Sequence, residues 1–490
     1  MTVEYDLIVI GGSRAGTYAA LTAARLNARV ALVEPPQFKT NWLSSGDIYT
    51  SALTQIGRIA QQVRNFPQFG IHYSTADSTE QRLFPAVQLS EAMEWAQAVA
   101  DTCSEQNSPA ILGSLGIDVI TEAGEFCRRP HLGFVVSNRR LRSRAYLIAT
   151  GSHPAIPDID GLQAINYLTP AEICQPDFVQ TLQGKWVVIG GSPLSIEIAQ
   201  TLARLNCEVT LVTNTSQLLP TEDLEAQGLV QAQLEAEGIG VLTASPVTQV
   251  RRIEDKTWVQ AGNHALEADK ILLATGHQPN VEALNLEGVG VKYSSQGLEL
   301  DDKLQTTNPR IYACGDVIGG YQFAHIAQYE ASIALQNALF FPWFKVDYRP
   351  IPWAIFCDPQ LARVGLTEAQ ARQRYGKDVF VVRQYFKTLF KAQLTGETTG
   401  FCKIVGRQNG EILGASIVGP DASEVIGAIA LSIRQKIKVK ALADLPHVSP
   451  TFSEILHKTA LEWQQQRRNR NKTLQNCLEG FFNLRRNWSS

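Results

Sequence analysis

Two short runs of glycine and serine carry the first recognisable chemistry in this 490-residue chain. Gly11-Gly12-Ser13 and Gly190-Gly191-Ser192 each follow an apolar run and open an amphipathic one. A turn this tight at the head of a helix aims several backbone N–H groups at one point, and such a nest binds the pyrophosphate of a dinucleotide. The flanking segments are copies of one another. Val9–Glu34 reads VIGGSRAGTYAALTAARLNARVALVE and Val188–Thr213 reads VIGGSPLSIEIAQTLARLNCEVTLVT, at a constant offset of 179 residues without a gap. One such turn is weak evidence, whereas two, each placed between a strand and a helix, are strong. Both copies put serine (Ser13, Ser192) where the backbone must approach the phosphates closely, and its hydroxyl can bond a phosphate oxygen. The first copy keeps the third glycine, Gly16; the second has Ser195, still small enough for helix–strand packing. Glu34 ends the second strand of the first copy, the place of an acid that hydrogen-bonds an adenosine ribose. Its counterpart is Thr213, followed by Asn214 and Thr215, so the acid that selects NAD and the arginine that selects NADP are both missing there. The first copy is expected to hold a dinucleotide. The second either holds one or is a relic of duplication.

To present these groups, each copy needs a buried strand, a tight turn, an amphipathic helix and a second apolar strand, the opening of a Rossmann βαβ unit. Tyr5–Ile10 supplies the first strand and runs straight into the glycine turn, which argues against a signal peptide. Ala149-Thr150-Gly151 and Ala274-Thr275-Gly276 each follow a further apolar strand (Ala145–Ile148, Ile271–Leu273). The chain is too long for one core and predicts two to four domains. A net charge of −3 gives no general attraction to nucleic acid. No stretch approaches the ~18 consecutive apolar residues of a spanning helix. The eight cysteines (103, 127, 174, 207, 314, 357, 402, 477) show no Cys-x-x-Cys and no metal-ligand spacing. They read as reduced thiols of a cytoplasmic protein without a metal site.

These pieces, in this order and with Thr307-Asn308-Pro309-Arg310-Ile311-Tyr312-Ala313-Cys314-Gly315-Asp316, resemble the class I pyridine nucleotide–disulfide oxidoreductases. That group contains glutathione reductase, dihydrolipoamide dehydrogenase and mercuric reductase. Leu112–Pro157 is closest to the mercuric-reductase-like members, and the resemblance spans roughly residues 5–462. It implies an α/β fold with two Rossmann-type domains, binding FAD and NAD(P), plus an α+β C-terminal dimerisation domain and therefore a homodimer. The implied division is FAD domain 1–160, NAD(P) domain 161–281, a return to the FAD or central domain over 282–348, interface domain 349–462 and a basic tail 463–490. Within it, Asp316 holds the flavin ribityl chain, and Gly124, Thr150 and Gly151 make backbone contacts around FAD. Gly46, Ala324 and Gly276 complete the implied cofactor-binding set, with NADH or NADPH as second cofactor. Pro350–Pro359, Val364–Thr367 and Ile412–Ser423 match the interface domain, as alternating apolar strands of a mixed sheet.

The same resemblance locates chemistry that this chain lacks. The family's redox motif, Cys-x4-Cys-x3-Lys, falls on Phe38–Ser51, kept in register by Gly46, Ile48 and Ala52-Leu53. The cysteines become Trp42 and Asp47, and the lysine becomes Ser51. Neither Trp nor Asp can take electrons from a flavin and pass them on as a thiolate. The family's His-Pro-Thr-x-Ser-Glu reads Ser449-Pro450-Thr451-Phe452-Ser453-Glu454, so the acid/base histidine is Ser449 while its orienting carboxylate survives as Glu454. His447, two residues upstream, is expected to be a packing or surface histidine. Glu197 matches a glutamate paired with the lost lysine beside the flavin, and Pro193 sits at the place of a gating tyrosine. Glu197, Asp47 and Glu454 are the candidate catalytic residues. Hydride transfer needs only a nicotinamide in contact with the flavin. The expected function is an FAD-dependent NAD(P)H oxidoreductase, a diaphorase passing electrons straight to a small acceptor such as a quinone. Two alternatives stay open: a redox-inert or slowly cycling FAD-binding scaffold or sensor, and a disulfide or mercuric reductase using other thiols, with Cys477 the candidate.

The tail has no counterpart in the resemblance. Arg467, Arg468, Arg470, Lys472, Arg485 and Arg486 stand against one acid, Glu479. Leu474, Cys477, Leu478, Phe481 and Phe482 recur at helical spacing and give one apolar face. Such a helix either docks on the dimer's own surface or lies in a membrane interface with a basic flank, placing the protein peripherally on an inner membrane face.

Overall fold

The computed structural model describes residues 3–34, 42–71, 87–105, 107–173, 182–470 and 472–488, with the backbone alone for residues 42–47 and 474. The chain divides into two compact units, one of Met1–Ser216 with Gly238–Val346 and one of Gln217–Glu237 with Asp347–Ser490.

In the first unit the sequence duplication is also an architectural one. Tyr5–Ile10 is the middle strand of a parallel sheet, in the order Ile311–Ala313, Ser143–Ile148, Tyr5–Ile10, Val30–Val33, Ile117–Ile120. Leu7, Val9, Ile8 and Ile10 are buried on both faces, as a sheet covered on both sides requires. The helix Arg14–Arg25 lays Ala15, Ala19, Ala20 and Ala23 on the sheet, small residues on one face that let helix and strands approach closely. The second copy repeats the plan as a parallel sheet in the order Gly240–Leu242, Glu208–Val212, Lys185–Ile189, Lys270–Leu273, with the helix Pro193–Arg204 in the equivalent place. Each copy also carries a three-stranded antiparallel sheet, Gly124–Leu141 in the first and Val247–Ala268 in the second. Ala145–Ile148 and Ile271–Leu273, expected as strands, lie within Ser143–Ile148 and Lys270–Leu273.

The second unit is built on a five-stranded sheet, in the order Pro352–Ile355, Gln360–Gly365, Ile412–Gly419, Phe401–Arg407, Val379–Tyr385. Here the expectation of a mixed sheet is corrected, because every described pairing is antiparallel. Ile412–Gly419 does not alternate either. It is buried at every position, as a central strand covered on both faces must be. Phe380, Ile404, Ile417, Ile429, Ile455 and Trp463 share its core. The segment 217–237 belongs to this unit, where charges hold it. Lys403 reaches Glu368 at 2.7 Å, Glu225 at 3.4 Å and Asp223 at 3.5 Å, and Arg363 meets Glu222 at 2.9 Å. The C-terminal helix Glu454–Arg470 buries Ile455, Leu456, Ala460 and Trp463, and a separate helix, Lys472–Asn487, follows it.

Candidate dinucleotide sites

The first site forms where the parallel strands of the first copy end at their carboxyl edge, the usual place for a ligand in an open α/β sheet. Gly11 turns the chain at φ +107°, and a Cβ on it would run into the Ala149 carbonyl, so only glycine fits. Ser13 caps the helix: its Oγ accepts from the Gly16 N–H at 3.3 Å and donates to the Ala149 carbonyl at 2.8 Å. The hydroxyl expected to face a phosphate is thus occupied in tying the turn to Ala149. The Glu34 carboxylate lies across Gly12, 2.6 Å from where a Cβ would stand, which puts the acid expected to bond a ribose directly beside the glycine turn. Gly315 comes within 3.6 Å of Ala15 at a Cβ position, so the Gly315-Asp316 turn joins the same edge. Burial pushes the Asp316 carboxyl up to about 6, with Ser152 pulling it down through a hydrogen bond at 3.3 Å. A buried carboxylate with this one hydroxyl partner suits a polyol that would donate to it. The cradle closed by Gly11, Gly12 and Glu34, together with Asp316, fits FAD.

Several residues of this edge have no motif of their own in the sequence. Asn280 donates from its side chain to the Thr150 carbonyl at 2.9 Å, and its own carbonyl accepts from the Thr150 hydroxyl at 2.7 Å. His153 Nδ1 lies 2.7 Å from Asn280 Oδ1. Ser152–Pro154 pairs antiparallel with His277–Pro279, so the two Ala-Thr-Gly turns are laced to each other. The Glu330 carboxylate, buried on the helix Ala324–Leu339, accepts from the Gly315 N–H at 2.8 Å and so fixes the turn that presents Asp316. Only Glu330 carries a sequence signal, as an acid within the otherwise mostly apolar helical run Ala324–Leu339. Gly124 lies in the strand Gly124–Cys127, where a Cβ would meet Phe134 and Val135; packing within the sheet already accounts for its glycine.

The second site copies the first turn for turn. Gly190, at φ +147°, would place a Cβ against the Ala274 carbonyl. Ser192 accepts from the Ser195 N–H at 3.3 Å and donates to Ala274 at 3.4 Å. Thr213 Oγ1 stands 2.7 Å from a Gly191 Cβ position, in the place that Glu34 takes over Gly12. Gly276, at φ +110°, follows the Lys270–Leu273 strand. Glu197 lies on the helix Pro193–Arg204, which packs against the helix Trp42–Arg64 through Thr54 and Thr201, their hydroxyls 3.1 Å apart. Ser51 and Glu197 each precede that contact by about one turn. Gly46 and Asp47 lie on the helix Trp42–Arg64, and the side chains of Trp42 and Asp47 are outside the described residues. In the second unit, Glu454 accepts from the Thr451 N–H at 3.3 Å at the head of its helix. Ser449 is exposed, and His447 stacks loosely on His457 at 5.3 Å with Nδ1 2.9 Å from the Leu445 carbonyl.

Comparison with known proteins then decides the kinship. Residues 5–331 match the pyridine nucleotide-disulphide oxidoreductase family and residues 351–460 match its dimerisation domain. The chain belongs to this family. It is 31% identical to a mercuric reductase of Staphylococcus aureus over 94% of this chain and 83% of that protein. It is 30% identical to a dihydrolipoyl dehydrogenase of Bacillus subtilis (strain 168) over 93% of this chain and 98% of the relative. Among solved structures, the HOCl-induced flavoprotein disulfide reductase RclA from Escherichia coli superposes with a TM-score of 0.79 at 25% identity, covering 93% of this chain and 99% of that one. LpdA from Mycobacterium tuberculosis shares the fold at a TM-score of 0.81. Members of the family bind FAD and use NAD(P)H, and the matched dimerisation domain supports a homodimer. Among the described residues no helix is long and apolar enough to cross a membrane.

Proposed function

We propose that this family member is an NAD(P)H-dependent diaphorase that delivers two electrons from flavin directly to a small acceptor such as a quinone. In sum, NAD(P)H, a proton and the quinone give NAD(P)+ and the quinol. The observation that carries the reading is the helix Trp42–Arg64. It packs on the helix bearing Glu197 yet contains no cysteine, the first cysteine of the chain being Cys103. With Trp42 and Asp47 at the places of the family's cysteine pair and Ser449 at that of its histidine, the dithiol relay has neither its electron carrier nor its proton donor. FAD, when bound, supplies two-electron transfer between the reduced nicotinamide and the acceptor.

The chain's own residues hold and orient. The Gly11–Ser13 turn and the head of Arg14–Arg25 would take the FAD pyrophosphate, Glu34 its adenosine ribose and Asp316 its ribityl chain, with Gly46, Thr150, Gly151 and Ala324 lining the remainder. Gly190, Ser192, Ser195, Thr213 and Gly276 would hold the nicotinamide dinucleotide. Glu197 borders the nicotinamide pocket, and Asp47 stands in the place of a thiol. Glu454 keeps an orienting role without its histidine. The division into domains 1–160, 161–281, 282–348, 349–462 and 463–490 belongs to the same reading. The helix Lys472–Asn487 supports a peripheral placement on an anionic membrane, where a bilayer-dissolved quinone would be within reach.

Anaerobic addition of NADH, then NADPH, to the yellow protein tests this. Flavin absorbance should bleach rapidly without a long-wavelength band that thiol alkylation removes, and a quinone should restore the oxidised spectrum. Absence of bleaching with both nucleotides would instead favour an FAD-binding scaffold.

A further inference from the structure

The two dinucleotide turns are near-copies in backbone and cap, and they part company at the side chain lying over the second glycine. Over Gly12 this is the Glu34 carboxylate; over Gly191 it is the Thr213 hydroxyl, with the Thr215 hydroxyl 3.5 Å from the same Cβ position. The two hydroxyls share a hydrogen bond at 2.9 Å, and Thr213 Oγ1 accepts from the Thr215 N–H at 3.3 Å. The backbone behind them is engaged as well. Thr213 donates to the Leu242 carbonyl, the Thr213 carbonyl accepts from Ser245, and the Thr215 carbonyl accepts from Ala244. No Lys, Arg, Asp or Glu occurs between Glu208 and Glu222 or between Gly238 and Val250.

A carboxylate at this place bonds the ribose 2′-hydroxyl and repels a 2′-phosphate, while an arginine attracts the phosphate. Thr213 does neither, since a hydroxyl can accept from a 2′-hydroxyl or donate to a phosphate oxygen. We propose that the Thr213–Thr215 hydroxyl pair makes the second site indifferent to the 2′-phosphate, so that NADH and NADPH are used on nearly equal terms. This rests on reading the second copy as the NAD(P) site and names its substrate class as both coenzymes.

Calorimetric titration of the FAD-loaded protein with NAD+ and NADP+ tests it by binding, without turnover. The two dissociation constants should agree within about tenfold, the spread that one neutral hydrogen bond gained or lost produces. Thr213→Glu should weaken NADP+ relative to NAD+ by on the order of a hundredfold. Thr215→Arg, at a partly buried position, should shift the ratio the other way by about tenfold and serves if Thr213→Glu does not fold. A larger preference in the unaltered protein, or a ratio that neither variant moves, overturns the inference while leaving the diaphorase reading intact. Failure of both nucleotides to bind overturns both.

Discussion

A carboxyl group buried beside one serine hydroxyl resists ionisation, and Asp316 beside Ser152 is in that position, with its pKa raised to about 6. A folded-state value above the ordinary 3.8 means that the empty protein holds this proton more tightly than the unfolded chain does. The stabilising effect is complete below about 4 and is lost as pH rises through about 6. Hydroxyls of a bound polyol would donate to the ionised carboxylate and lower the value again, so binding releases a proton. FAD affinity should therefore rise with pH between about 4 and 6 and level off above. The full range is on the order of a hundredfold if the pKa returns to its ordinary value. Asp316→Asn should bind FAD more weakly near neutrality and show a flat profile, as read by fluorescence titration across that window. A rising profile in the variant would assign the proton to another group. Glu34→Ala should also lower FAD retention, but without changing the pH profile. At this scale the sequence was legible where a residue sits inside a fixed-spacing motif, as Gly11, Glu34 and Asp316 do. Ser152, Asn280 and Glu330 escaped because their partners lie 15 to 164 residues away and no periodicity marks them.

Strands and fingerprint helices could be read because burial on a sheet demands uninterrupted apolar runs, such as Leu7–Ile10 and Trp186–Ile189, and because capping demands a small polar residue at the turn. The pairing of the C-terminal sheet could not be read this way, since an apolar strand looks the same whichever direction its neighbour runs. The placement of 217–237 in the second unit was equally hidden, because contacts distant in sequence decide it, among them the buried Val230 and Leu234 and isolated charges. Arg363 approaches Glu222 at 2.9 Å, but neither of the atoms in contact makes an aligned hydrogen bond. Burial therefore outweighs the attraction and pushes Glu222 up to about 7. Its stabilising effect is complete below about 4.5 and is lost as pH rises through about 7. Glu222→Gln should flatten that part of the pH–stability curve in thermal denaturation. Arg363→Met should do the opposite: without its cation the buried carboxyl is pushed up further, so stability falls more steeply as pH rises above about 7. Equal curves for the two variants would mean that Glu222 is already neutral throughout.

For the whole molecule, the helix Lys472–Asn487 is an amphipathic surface beyond the residues that the family match covers. Leu478, Phe481, Phe482 and Leu484 are 43–72% exposed, and Trp488 is 93% exposed. Two of the basic residues of this region already have aromatic partners in the second unit, Arg467 over Trp463 at 5.2 Å and Arg470 over Phe380 at 4.6 Å. They belong to the folded body, so on this reading lipid attraction would fall mainly to Arg468, Lys472 and Arg486. Each contributes ~1 kcal/mol at best near an anionic surface. Apolar burial adds roughly 1.5–3 kcal/mol per fully immersed side chain. A homodimer presents the helix twice, so modest single-site affinity becomes stable attachment provided that both helices reach one surface. The informative truncation follows Arg470 and spares the two stacked arginines. The full chain should co-sediment with phosphatidylserine-containing vesicles, less so in high salt as charge attraction is screened, and hardly at all with neutral vesicles. The truncated protein should remain in the supernatant while keeping its melting temperature, its dimeric mass and its bound FAD. If truncation instead dissolves the dimer or lowers the melting temperature by several degrees, the apolar face is covered by protein and the membrane placement is wrong.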